Sequence, residues 1–228
     1  RQITTGLRSS SGTMSRDGKM LYISVSDDVA SERPYYFTTG MVMNLETGKV
    51  DTLFQRQGFV RGAQFSPDGK KLLFTGTPEA FGGIGNVCPE GMIPNNYEHE
   101  LFLMDLDTKD IEPLTKDLDP SVNNVHWSLA DNHLYAVCEN KDLVSVFRLD
   151  MTEKKGVRNG KWEMMQLNEP NLKGNISLAK EKPVMVYTGL SGETTDHSWV
   201  LDLKKNKHTS LTDLNPTRLN GIAVGKCL

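Results

Sequence analysis

Copies of one strand-turn-strand unit recur along the chain, and that recurrence narrows the possible folds more than any other feature. "TMSRDGKMLYISVS" (13 to 26), "QFSPDGKKLLFTG" (64 to 76) and "HWSLADNHLYAVC" (126 to 138) each hold an apolar residue, a Ser, a polar turn and an alternating apolar strand. "ISLAKEKPVMVYTG" (176 to 189) is a degenerate fourth copy whose turn residues are altered. In the first three, Asp-Gly or Asp-Asn supplies the positive backbone angle that a tight hairpin needs, and Pro67 pre-sets the second turn.

A second family of strands follows these hairpins. "GMVMNLETGKVDTLF" (40 to 54), "ELFLMDLDTKDIEPLT" (100 to 115), "VSVFRLDMTEKKGVRNGKWEMMQLN" (144 to 168) and "SWVLDLKKNKHTSLT" (198 to 212) each read as a strand, a polar turn and a short outer strand. Each unit is therefore four-stranded. The ends of successive outer strands, at Ile3, Leu53, Leu114, Leu167 and Leu211, lie 50, 61, 53 and 44 residues apart. A twisted four-stranded sheet with two apolar faces cannot cover both alone, whereas stacked neighbours cover them. The pattern predicts an all-β chain: a β-propeller of about four four-stranded antiparallel blades, part of a seven- or eight-bladed ring, with a small closed ring as the alternative. Helices are disfavoured because apolar residues alternate, as at Leu21, Ile23 and Val25. The expected blades run approximately over 6–55, 56–116, 117–168 and 169–213, and 214–228 provides the first strand of a further one. Arg1 in place of Met, and an opening without an apolar leader core, suggest a segment of a longer protein. A four-blade arc would leave its terminal faces open, around Leu21, Ile23 and Val25 or Val184 and Val186, so ring closure or a homodimer is expected of the segment.

Charge removes several function classes. The 26 basic and 29 acidic residues are scattered, giving a net charge of -3 and no nucleic-acid footprint. No apolar run approaches the ~20 residues of a membrane-spanning helix. Cys88, Cys138 and Cys227 have no zinc or redox spacing, and the disulfide state of the three stays open. "TGLSGETTD" places Gly189, Ser191 and Gly192 near the pattern of a nucleophile elbow but lacks its final spacing. His99, His126, His133, His197 and His208 form no metal-binding motif and are expected on strands or the surface. In a strand, Glu98 and Glu100 would face one side and His99 the other, which argues against a shared acid-base site. Asp105, Asp107 and Asp110 resemble a calcium loop but lack its central Gly and terminal Glu, so a hairpin turn is expected. These patterns call for no catalytic residue, metal or other cofactor.

One segment departs from the repeat. Residues 77 to 99, "TPEAFGGIGNVCPEGMIPNNYEH", are rich in Gly, Pro and Asn yet carry Phe81, Ile84, Met92, Ile93 and Tyr97. Solvated loops seldom hold so many large apolar groups. The insertion is expected to pack on its own propeller or to serve as a docking or access loop for a neighbouring domain. Its "GGIG" lacks phosphate-loop spacing.

The hairpins "FSPDGKKLLFTG", "LFLMDLDTKDIEPLT" and "SWVLDLKKNKHTSLTDL", in this order with the insertion and an ending "GIAVGKCL", resemble the propeller of prolyl oligopeptidase-family serine peptidases, especially bacterial dipeptidyl peptidase IV-like members. The resemblance covers essentially the whole chain. It implies that an α/β-hydrolase domain follows and holds the Ser, Asp and His, while the propeller restricts peptide access to it. It also implies a peptide substrate and a periplasmic or secreted location. This chain departs from the family's exopeptidases in having no Glu-Glu dipeptide to hold a substrate amine, so no site residue carries over. Two other readings remain: a TolB-like or WD-type protein-interaction propeller, and a small propeller enzyme such as a lyase.

Overall fold

The computed structural model describes residues 9–31, 36–87, 89, 92, 97–158, 160–191 and 194–212. The expected strand over 214–228 and the segment before Ser9 lie outside them, as do Cys88 and Cys227. The chain divides into two compact units, Arg1–Leu118 and Asp119–Leu228.

The first unit holds two antiparallel sheets. In one, β1 (Ser9–Met14), β2 (Met20–Asp28), β3 (Tyr36–Asn44) and β4 (Val50–Gly58) pair in chain order. In the other, β5 (Val60–Phe65), β6 (Lys71–Gly76), β7 (Glu100–Asp105) and β8 (Ile111–Pro113) do the same. One core joins them, with Tyr22 and Val42 from the first sheet against Phe65, Leu72, Phe74, Phe102 and Met104 from the second.

The second unit repeats this plan with two changes. Its third sheet contains β9 (Ser121–Trp127), β10 (His133–Asn140) and β11 (Leu143–Asp150), closed by β14 (Glu163–Met164). Between β11 and β14 the chain forms a separate hairpin of β12 (Glu153–Lys154) and β13 (Val157–Arg158). In the fourth sheet the first strand is split into β15 (Asn171–Leu172) and β16 (Ser177–Leu178), which both pair with β17 (Val184–Ser191). The interruption contains Gly174 at φ 79°. β18 (Thr194–Asp202) and β19 (Lys207–Ser210) complete that sheet. Tyr135, Val137, Val146, Met185, Tyr187 and Leu201 form the core of this unit.

The turns explain why the repeat folds as it does. Ser15 Oγ donates to Asp17 Oδ1 at 2.6 Å and accepts from the Met20 N–H at 2.9 Å, while Asp17 Oδ1 accepts from the Lys19 N–H at 3.1 Å. Ser66, Asp68, Lys70 and Lys71 reproduce the same three bonds at the same lengths. Gly18 and Gly69 both sit at φ 73°, a left-handed conformation that Asn132 takes in the third copy at φ 56°. Gly69→Ala is expected to cost about 1 kcal/mol, because a Cβ is strained in that region; the midpoint of urea unfolding measures it. Asp105, offered by the sequence as a turn residue, accepts from the N–H groups of Asp107 and Thr108 at 2.9 and 3.1 Å.

Each hairpin also sends one aromatic ring inward. Tyr22, Phe74, Tyr135 and Tyr187, carried by β2, β6, β10 and β17, are each at most 1% exposed. Leu21 and Val25 are half-buried and Ile23 is buried, whereas Val186 is 37% exposed.

Candidate functional site

The insertion leaves the second sheet after β6 and returns at β7, and its first half folds back onto the sheet it interrupts. Ala80 is fully buried, and a single helical turn, α1 (Ala80–Gly83), contains Phe81 at φ 54° and Gly82 at φ 79°. Phe81 is a non-glycine residue in the left-handed region, which costs about 1–2 kcal/mol. Its ring makes edge-to-face contacts with Phe54, Phe74 and Phe102 at centroid distances of 5.4 to 5.6 Å, and these offset that strain. Ile84 packs against the same core. Asn86 Nδ2 donates to Glu79 Oε1 at 3.0 Å and ties the turn across its base.

The five apolar residues of the insertion therefore have different places. Phe81 and Ile84 are used by the first unit's own core, while Met92 is 63% exposed and Tyr97 is 92% exposed. Ile93 lies outside the described residues. Among the described residues of the insertion, the exposed large apolar side chains lie beyond Asn86.

Glu100 stands where the insertion rejoins the sheet. It is 8% exposed, and its Oε2 has no hydrogen-bond partner among the described residues. The backbone of Gly85 lies directly against it, and a Cβ at that position would overlap Glu100 Oε2. Burial pushes the Glu100 carboxyl up to about 7; the Glu98 carboxylate adds to this and the Lys116 ammonium opposes it. Lys116 Nζ is itself held by the Ile84 carbonyl at 3.1 Å. Thr77, at the departure of the insertion, has a second buried oxygen without a partner among the described residues. This junction combines a protonatable carboxyl with a backbone segment that covers it. Alternation along the strand did not reveal it, because Gly85 does the covering from fifteen residues upstream.

Two polar groupings lie in the second unit. A cleft of about 560 Å³ is lined by His133, Arg148, Asp150, Lys154, Lys161 and Glu163, among others. Its acids are largely engaged: Arg148 Nη2 donates to Glu163 Oε2 at 3.0 Å, and the Asp150 carboxyl, held below its usual range by Thr152, accepts from the Thr152 N–H at 2.8 Å. The other grouping surrounds Trp199. His197 stacks on its ring at 4.6 Å, and His208 Nδ1 meets Tyr187 Oη at 2.9 Å. Burial holds His208 below its usual range. The strand register thus brings together two histidines that sequence spacing left apart. Ser191 of the near-elbow pairs with Thr194 in a strand register, and Gly192 lies outside the described residues. Cys138 is buried and free, its thiol pushed up to about 12 by burial. Among the described residues no group of three or more His, Cys, Asp or Glu could hold a metal ion, and no helix is long and apolar enough to cross a membrane.

No protein family matches the sequence, and no curated protein matches it either. Solved structures do resemble the fold. The β-propeller domain of the trilobed protease from Pyrococcus furiosus matches with a TM-score of 0.62 at 17% identity, over 90% of this chain and 52% of that one. TolB from Acinetobacter baumannii matches with a TM-score of 0.56 at 16% identity, over 92% and 45%. The acylaminoacyl peptidase of Pyrococcus horikoshii matches with a TM-score of 0.52 at 13% identity, over 90% and 32%. The chain thus spans between a third and about half of the length of these structures. The four-stranded sheets are blades of a partial β-propeller, of the kind found in peptidases of the prolyl oligopeptidase family and in TolB-like proteins.

Proposed function

We propose that this chain is the non-catalytic propeller segment of a prolyl oligopeptidase-like serine peptidase, close to the dipeptidyl peptidase IV type, and that it restricts peptide access to a hydrolase domain elsewhere in the full-length protein. The observation that carries the reading is the insertion: its first half is fixed to the blade core through Phe81 and Ile84, while Met92 and Tyr97 face outward. An access element needs that combination of a rigid root and an apolar tip. The proposal includes a periplasmic or secreted location, which cell fractionation tests.

The test uses the full-length protein. Replacing residues 87–97 with a short Gly-Asn turn leaves the packed root and Glu100 in place. It is expected to change kcat/KM for peptides of eight or more residues by roughly fivefold or more, with less than a twofold change for dipeptide substrates. The 228-residue chain alone is expected to hydrolyse no X-Pro or X-Ala fluorogenic peptide. Equal effects on long and short substrates, or a full-length protein without peptidase activity, would overturn the reading; the latter outcome would favour a TolB-like binding role.

A further inference from the structure

Two side chains of the fourth sheet and one from the bend that precedes it stand in a nucleophile-base-acid order. Ser210 Oγ lies 2.8 Å from His197 Nε2, and His197 Nδ1 lies 3.8 Å from Glu169 Oε1. The register explains why they meet. Ser210 on β19 pairs with Trp199 on β18, His197 is two residues back on the same face, and His197 pairs with Gly189 on β17. Gly189 leaves the space that Glu169 fills, since a Cβ there would meet Glu169 Cβ at 2.6 Å.

The burial gradient suits a proton relay. Glu169 is 4% exposed, the His197 side chain is 23% exposed, and Ser210 is an exposed residue. Trp199 fixes the imidazole plane by stacking at 29°. A buried carboxylate facing Nδ1 favours the tautomer with hydrogen on Nδ1, which leaves the Nε2 lone pair for the serine hydroxyl. The competing partner of Ser210 Oγ is the Thr212 carbonyl, to which it can donate at 3.1 Å. At 3.8 Å the acid acts on His197 through charge and orientation rather than through a short hydrogen bond.

We propose that Ser210 is a base-activated hydroxyl, with His197 as its proton acceptor and Glu169 as the positioning residue, and that it takes an acyl or phosphoryl group from donors with a good leaving group. Such transfer needs a nucleophile and a base. Amide hydrolysis also needs oxyanion donors, and it is no part of the proposal. With diisopropyl fluorophosphate as the probe, the Ser210 Oγ–P bond forms and the P–F bond breaks. Fluoride leaves with the electron pair, and the hydroxyl proton passes to His197 Nε2 and then to solvent.

The experiment treats the chain with diisopropyl fluorophosphate, follows intact mass and maps the adduct by peptide mass spectrometry. One adduct on Ser210 is expected, with its rate lowered about 100-fold in His197→Gln and about 10-fold in Glu169→Gln. The ¹⁵N shifts of His197 are expected to report hydrogen on Nδ1 in the parent chain and its loss from Nδ1 in Glu169→Gln, a change that a merely structural role would not produce. If Glu169→Gln fails to fold, His197→Gln decides alone. No adduct, an adduct on another residue, or an unchanged rate in His197→Gln would overturn the proposal.

Discussion

Phe74→Ala is expected to destabilise the first unit by about 3–5 kcal/mol, the range for removing a fully buried Phe without collapse of the surrounding core. Phe74 is 0% exposed and makes edge-to-face contacts with Tyr22, Phe54 and Phe81, so truncation removes contacts to both sheets and to the root of the insertion together. The cavity cannot close easily, because its walls are strands fixed by ladder hydrogen bonds on either side. Val157→Ala, at a residue 57% exposed, serves as the control and should shift stability by less than about 0.5 kcal/mol. Native-state hydrogen exchange of the β6 and β7 amides measures the difference. Equal protection in the two variants would show that the aromatic cluster is not the centre of this core.

Glu100→Gln should remove a pH dependence that the parent chain has between about pH 4.5 and pH 7. The folded carboxyl is raised from 4.5 to about 7, so the folded state holds its proton more tightly than the unfolded state does. The associated stability is fully present below pH 4.5 and is lost as pH rises through about 7. A shift of this size corresponds to about 3 kcal/mol. Urea unfolding at pH 4.5 and at pH 8 should therefore give a parent chain weaker at the higher pH by roughly that amount and a variant that is nearly level, other groups apart. Parallel profiles in both proteins would mean that the carboxyl is solvated in solution and that Gly85 does not cover it.

The parts legible in the sequence were those set by neighbours a few residues apart. Ser15, Asp17 and Gly18 close a hairpin with bonds that span at most five positions, and Ser66, Asp68 and Gly69 repeat it, so the repeat and the blade architecture could be read from spacing. Residues whose environment is set at a distance were not legible. Phe81 is plainly apolar in the sequence, but its inward direction depends on a left-handed backbone and on Phe54, twenty-seven residues away. Strand alternation assigned Glu100 a face but could not supply the Gly85 backbone that covers it. The order of Glu169, His197 and Ser210 required the pairing of three strands, and no local motif carries it. The β12–β13 hairpin was hidden because one long polar stretch between strands reads alike whether or not it pairs with itself.

The division at Leu118 gives the chain an internal optical label. All three tryptophans, Trp127, Trp162 and Trp199, fall in the second unit, while the first carries most of the phenylalanines. Emission excited at the red edge of protein absorbance therefore originates from one half of an architecturally repeated molecule. The other half holds four of the six tyrosines, so tyrosine emission is weighted toward it, and the amide signal is common to both. Comparing those channels along one titration separates the melting of the two halves without adding a dye or changing a residue.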